Sequence, residues 1–195
     1  MAFALSNFKS NLKGGGAKSA LFQVDLSYPT SITAPAVNAH FLISSTSIPA
    51  STVTTYDVFY QGKAIKVASD RTFETWETTI INDEDFGVRR SLEQWMDLLS
   101  KHELNTRSTD LTTDAVNREG ENAEYKQDIQ VRQYSKNGSS IAAYKFIGAF
   151  PTNIGAIPLS WEGNVIETYS CTWSYDRWEN LNVGTVTANT GPGGG

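Results

Sequence analysis

The sequence predicts a mainly β fold, α+β by element count, in which a β-sandwich or barrel-like sheet carries one flanking α-helix. Three observations predict it. Short segments of alternating polarity recur between Gly, Pro and Asn punctuation, as in an antiparallel sandwich. From Tyr169 to Tyr175 the odd positions are Tyr169, Cys171, Trp173 and Tyr175, while the even ones are Ser170, Thr172 and Ser174. That period of two marks a half-buried strand. One segment has a helical period, with Leu92, Trp95, Met96 and Leu99 on a single stripe.

Residues 1–19 form an N-terminal arm. Phe3, Leu5, Phe8 and Leu12 recur at roughly helical spacing before Gly14, Gly15 and Gly16 break the pattern, which suits an amphipathic arm docked on a neighbour as well as a frayed terminus. The domain proper spans 20–180. Its first strand alternates Phe22, Val24, Leu26 and Tyr28 with polar residues and stops at Pro29. A second strand, Asn38–Ser47, carries Phe41 and Ile43, and Pro49 closes it because proline cannot donate into a ladder. TVTTYDVFYQGKAIKVAS then predicts a long hairpin turning at Gln61 and Gly62. Thr72–Ile81 follows as another strand.

The inserted helix is expected over about 83–101. Asn82 is its candidate N-cap, Asp83, Glu84 and Asp85 lie near the positive end of the dipole, and Lys101 and His102 near the negative end. Residues 103–122 are polar and aperiodic, which predicts an exposed loop. Three strands complete the domain: Tyr125–Tyr134, Ser140–Phe150 beyond the Asn137-Gly138 turn, and Val165–Trp178. Residues 181–195, rich in Gly, Thr and Asn, predict a flexible C-terminal tail.

Composition narrows the function. The chain of 195 residues is 39% hydrophobic and 19% charged, enough for one proper core. A formal net charge of -5 argues against a protein that grips nucleic acid, which needs clustered Lys and Arg. The single cysteine, Cys171, has no intrachain partner and reads as a small core hydrophobe in a reducing compartment. No apolar run approaches the roughly 20 residues that span a bilayer, so no membrane association and synthesis in the cytoplasm are expected.

The motifs point away from catalysis. KGGGAKS at Lys13–Ser19 has Ala17 where a phosphate-binding loop needs glycine before the lysine, and no buried strand precedes it. His40 and His102 lack ligand spacing. Asp83, Glu84 and Asp85 do not converge, and Glu74 and Glu77 point to opposite faces of one strand. No catalytic, cofactor or metal site is expected. Four of the five tryptophans fall in predicted elements and read as core. Tyr56, Phe59 and Tyr60 differ, because a projecting hairpin cannot bury both faces alone; such a patch awaits a partner.

Four stretches carry a family likeness: LFQVDLSY at Leu21–Tyr28, ASDRTFETWETTIINDE at Ala68–Glu84, EYKQDIQVRQY at Glu124–Tyr134 and FPTNIGAIPLSWEGNVIETY at Phe150–Tyr169. In the same order, they resemble segments of the tail tube proteins of contractile-tailed, myovirus-type bacteriophages, whose architecture is related to that of the type VI secretion tube protein. The resemblance implies a non-enzymatic structural subunit of the virion. It implies hexameric rings with a continuous inner β-barrel, stacked into a tail tube whose lumen conducts DNA and the tape-measure protein during ejection, without sequence-specific DNA binding. Implied partners are further copies of the chain and the sheath, tape-measure, baseplate and tail terminator proteins. A closed barrel of about 24 strands, spaced ~4.8 Å and tilted by roughly 40°, leaves a bore of ~35 to 40 Å.

The resemblance also places the hairpin against the adjacent ring, with Tyr56, Phe59, Tyr60, Lys63 and Lys66 as inter-ring or inter-subunit contacts. Ser170, Thr172 and Ser174 become lumen-facing candidates. Two alternatives stand beside this reading: a secretion-type or phage-derived injection tube carrying protein cargo, and a carbohydrate-binding β-sandwich module using the tryptophan and tyrosine surplus.

Overall fold

The computed structural model describes residues 10–12, 16–35, 39–101, 106–107, 125–163 and 165–182. Most of the predicted arm, most of the 103–122 loop and nearly all of the C-terminal tail lie outside the described residues; of that loop, Thr106–Arg107 form a short strand instead. Within them the elements run β1 (Phe22–Leu26), a 3-10 turn (Ala39–Phe41), β2 (Ile43–Thr46), β3 (Thr52–Tyr60), β4 (Lys63–Thr72), β5 (Trp76–Ile81), one helix (Gly87–Leu99), the two-residue pair β6 (Ser100–Lys101) and β7 (Thr106–Arg107), β8 (Gln127–Tyr134), β9 (Ser140–Ile154), β10 (Thr168–Ser174) and β11 (Arg177–Asn180). All pairings are antiparallel. The fold is mainly β, and no barrel closes among the described residues.

Strand β9 joins two sheets. Its first part pairs with β8 on one side and β11 on the other, and β8 continues to β1. Its last residues pair with β10, which continues to β5 and then β2. The change of direction falls at Gly148, whose φ of 68° suits a residue without Cβ. Opposite that bend, the single strand expected over Val165–Trp178 breaks into β10 and β11. Asp176 N donates to the Ile147 carbonyl at 3.0 Å, and the Asp176 carboxylate accepts Lys126 Nζ at 2.8 Å. The two neighbouring strands therefore bend together, and the sheets face each other across one core.

That core is aromatic. Trp76 of β5 stacks on Phe146 of β9 with centroids 4.4 Å apart, and Trp173 of β10 meets the helix through Trp95 at 5.7 Å, edge to face. These contacts tie both sheets and the helix to one centre, each ring burying on the order of 150–250 Å². Around it lie Val24, Ile80, Leu92, Ile129 and Cys171, all without exposed surface. The alternation expected for β10 is present: Tyr169, Cys171 and Trp173 are buried, and Ser170, Thr172 and Ser174 are half-buried on the other face.

Several boundaries differ from expectation. The strand expected over Thr72–Ile81 begins only at Trp76, with Thr72 closing β4, and the one expected from Val165 begins at Thr168. The segment before Ile43 is a 3-10 turn rather than strand, leaving Phe41 76% exposed. Strand β9 continues through Pro151 to Ile154, four residues beyond the predicted end, because the register shift between Thr172 and Trp173 accommodates the proline. The helix begins at Gly87, not near Asp83, since Asn82 extends the sheet instead of capping. Its backbone N–H donates to the Glu167 carbonyl at 2.9 Å and its Nδ2 to the Glu167 carboxylate at 2.8 Å. The chain turns over 83–86, and Phe86, at a left-handed φ of 52°, stands at the cap with no side-chain hydrogen bond. No acid occupies the first helical turn and no base the last, so the expected dipole pairing is absent.

Candidate assembly surfaces

The β3–β4 hairpin is the most exposed element among the described residues. Every residue of β3 is exposed, and of β4 only Val67 is partly covered. Its register pairs Tyr60 with Lys63, Phe59 with Ala64 and Asp57 with Lys66. Gln61 and Gly62 both have positive φ, 48° and 79°, the backbone of the two-residue turn whose twist matches that of the flanking strands. The eight steps of β3 carry the tip about 27 Å from its base at ~3.4 Å per residue.

The base is held firmly. Trp76 Nε1 donates to the Ser47 carbonyl at 2.9 Å and Trp178 Nε1 to that of Ala50 at 3.1 Å, so two indoles pin the β2–β3 connection. On the returning strand the Arg71 guanidinium lies over the rings of Phe73 and Trp178, at 5.9 and 5.8 Å. At the tip, Tyr56, Phe59 and Tyr60 are 53%, 74% and 65% exposed. Lys63 is exposed, and Lys66 pairs with Asp57 at 3.1 Å across the ribbon. The sequence-predicted contact residues thus share one ribbon but not one face: Phe59 and Lys66 lie on one side of it, and Tyr56, Tyr60 and Lys63 on the other.

The two sheets present different outer faces. On the β9-β10-β5-β2 sheet the register sets Ser45, Thr79 and Ser170 in one row and Asn153, Thr172 and Glu77 in the next. Hydroxyls and an amide dominate, with one carboxylate. On the β1-β8-β9-β11 sheet one row reads Asp25, Gln130, Lys145 and Glu179. Ion pairs cross this face, Lys145 to Asp128 at 2.7 Å and Arg132 to Asp25 at 3.4 Å.

A further surface was not singled out by sequence reasoning. The β9–β10 connection, 155–167, exposes Leu159, Trp161, Val165 and Ile166 at 82%, 106%, 85% and 72%. The signal for it was slight: Trp161 is the tryptophan outside every predicted element. The others sit inward, Trp76, Trp95 and Trp173 fully and Trp178 in part, so they form no exposed sugar-stacking platform.

Comparison with known proteins places this geometry. A family model described as phage tail tube protein matches residues 6–181. The chain belongs to the phage tail tube protein family. It is 32% identical over 168 residues to tail tube protein gp19 of Enterobacteria phage T4, covering 85% of this chain and 93% of that relative. The tail tube fold extends to distant structures. One is a tube-terminating cap of the anti-feeding prophage, with TM-score 0.58, 15% identity and coverage of 84% of this chain and 89% of that one. Another is the sheath/tube terminator of an extracellular contractile injection system in its extended state, with TM-score 0.58, 14% identity and coverage of 84% and 94%.

Proposed function

We propose that the chain is the structural subunit of a contractile phage tail tube. Six copies close into a ring, rings stack, and the bore conducts DNA and the tape-measure protein during infection. The observation that carries this reading is the 32% identity to tail tube protein gp19 over most of both chains. The exposed apolar hairpin on its pinned base supports it, because such a surface is suited to burial against a partner.

The β9-β10-β5-β2 sheet faces the bore, with Ser170, Thr172 and Ser174 turned to water. Among the residues that its register places in outer rows only Glu77 is charged, so this wall offers phosphate no cluster of Lys or Arg. Closure into a barrel pairs its open edges with neighbouring copies. The ion-paired sheet then faces outward, toward the sheath. Tyr56, Phe59, Tyr60, Lys63 and Lys66 make the contact between rings. The subunit acts in the virion without catalysis or cofactor, after synthesis in the host cytoplasm, and meets baseplate and terminator proteins at the tube ends.

Electron microscopy of the purified chain tests the reading: six-fold rings or tubes are expected, and a monodisperse monomer at high concentration would sink it. Phe59→Asp separates folding from stacking. The substituted chain should keep its circular dichroism and melting temperature, since Phe59 touches no core, yet form single rings in place of tubes because it buries a charge at the contact. Tubes of normal length from this variant would remove Phe59 from the interface.

A further inference from the structure

We propose that Asn137, in the turn between β8 and β9, is a site of spontaneous chemical modification in the folded chain, its carboxamide giving way to a carboxylate through attack by the Gly138 backbone nitrogen. The sequence contains a single Asn-Gly step, and it falls here. Glycine has no side chain to screen its nitrogen, and a Cβ built at Gly138 would meet nothing within 4 Å. Both residues are exposed. Elsewhere bulkier residues follow asparagine, as Asp83 follows Asn82, Ile154 follows Asn153, Leu181 follows Asn180 and Val183 follows Asn182. Two of those amides are also held, Asn82 Nδ2 by the Glu167 carboxylate at 2.8 Å and Asn182 Nδ2 by the Ile141 carbonyl at 2.6 Å. Among the described residues Asn137 is bonded through its backbone nitrogen, and nothing holds its carboxamide.

The chemistry needs only water and hydroxide. Gly138 N gives its proton to hydroxide and bonds to Asn137 Cγ, the Cγ–Nδ2 bond breaks, and ammonia leaves with a proton taken from water. The five-membered imide then takes up one water molecule. Opening at Cγ gives aspartate, and opening at the main-chain carbonyl carbon gives an isoaspartyl link, in which the chain runs through the former side chain. Either product makes the chain one charge more negative than its formal -5. The new carboxylate lies in a depression that Lys18 and Lys136 line with it, and positive charges on both sides favour it.

The turn itself sets the rate. Gly138 N donates to the Ser135 carbonyl at 3.0 Å and Ser135 N to the Ser139 carbonyl at 2.8 Å, a tight turn followed by a glycine at φ 79°. The Ser135 hydroxyl accepts Asn137 N at 3.2 Å and pairs with Ser139 Oγ at 2.8 Å. While these bonds hold, the attacking nitrogen is engaged. Attack therefore follows a brief opening of the turn, a local excursion that costs far less at an exposed hairpin end than unfolding of the body does. When opening and closing are fast beside the chemistry, the rate follows the open population.

Incubating the full chain in heavy-oxygen water at mildly acid and at alkaline pH, then mapping its peptides by mass spectrometry, tests the site, because label enters only during the incubation. Label is expected at residue 137 ahead of every other asparagine, as aspartyl and isoaspartyl forms together, and faster at the higher pH. Asn137→Gln, whose imide would need a six-membered ring, should lose the label at this position. Ser135→Ala should label Asn137 roughly threefold faster or more, since it removes bonds that keep the turn closed. Unchanged circular dichroism shows that both variants fold. An Asn137 that stays unlabelled in the folded chain, whether or not it is labelled in urea, would overturn the proposal. So would label led by another asparagine, or label that enters Ser135→Ala no faster than the unsubstituted chain.

Discussion

At Thr78 a hydroxyl lies inside the aromatic core because it has partners in two directions. Trp173 Nε1 donates to its Oγ1 at 3.0 Å, and that Oγ1 donates to the Cys171 carbonyl at 3.3 Å. Thr78→Val keeps the shape and strands a buried indole N–H, a loss of about 1–3 kcal/mol. Urea denaturation at neutral pH reads it directly, and an unchanged midpoint would mean that the indole finds another acceptor. Cys171 beside it carries a pH dependence. Burial pushes its thiol from the ordinary 9.0 up to about 12, against a smaller opposing pull from Arg89, and burial also raises Tyr28 and Tyr169. The unfolded chain releases these protons at lower pH than the folded one does, so their contribution is fully present below pH 9 and is lost as pH rises toward 12. The slope reaches about 1.4 kcal/mol per pH unit for each group. Denaturation across pH 8 to 11 should show stability falling from pH 9, and Cys171→Val should flatten the first part of that fall.

Among the elements, local pattern decided what could be foreseen. Strand β10 and the β3–β4 hairpin were legible because alternation and a Gln61-Gly62 turn are properties of neighbouring residues. The helix itself was legible from one stripe, but its start was not. Asn82 was claimed by Glu167, 85 residues away in sequence, and a distant partner leaves no local trace. The same holds for β9, where Pro151 suggested an end that a register shift on β10 instead absorbs. The exposure of Tyr56, Phe59 and Tyr60 was legible on the hairpin, whereas the exposed 155–167 connection looked like ordinary turn sequence. Gly148 shows what such long-range constraints cost. A Cβ there would meet the Asp176 carboxylate at a positive φ of 68°. Gly148→Ala should lose about 1–3 kcal/mol through backbone strain alone, visible as a lowered melting temperature. Removing the carboxylate as well, in Gly148→Ala/Asp176→Ala, should recover only the steric part, because the φ penalty remains; full recovery would show that β9 does not need its bend.

For the whole molecule, the contrast between a packed body and a bare ribbon sets what assembly must change. An isolated two-stranded hairpin is marginal in water, and among the described residues this one is held at its base. The Lys66–Asp57 pair adds little, since its side chains are 74% and 40% exposed and exposed ion pairs contribute about 0–1 kcal/mol. In the unassembled chain the ribbon should therefore open locally far more often than the body does. Trypsin provides the readout, because Lys63 and Lys66 lie beside the turn. Limited digestion of dilute, unassembled chain should cut after these two lysines while the ion-paired β1-β8-β9-β11 sheet stays intact, with peptides assigned by mass spectrometry. With the proposed contact between rings in place, opening the ribbon in a tube costs that contact as well. Cleavage after Lys63 and Lys66 should then slow at least tenfold, and Phe59→Asp rings should be cut as fast as monomers. Equal cleavage rates in monomer and tube would mean that the tip stays solvated between rings, which is incompatible with a hairpin that carries the stacking.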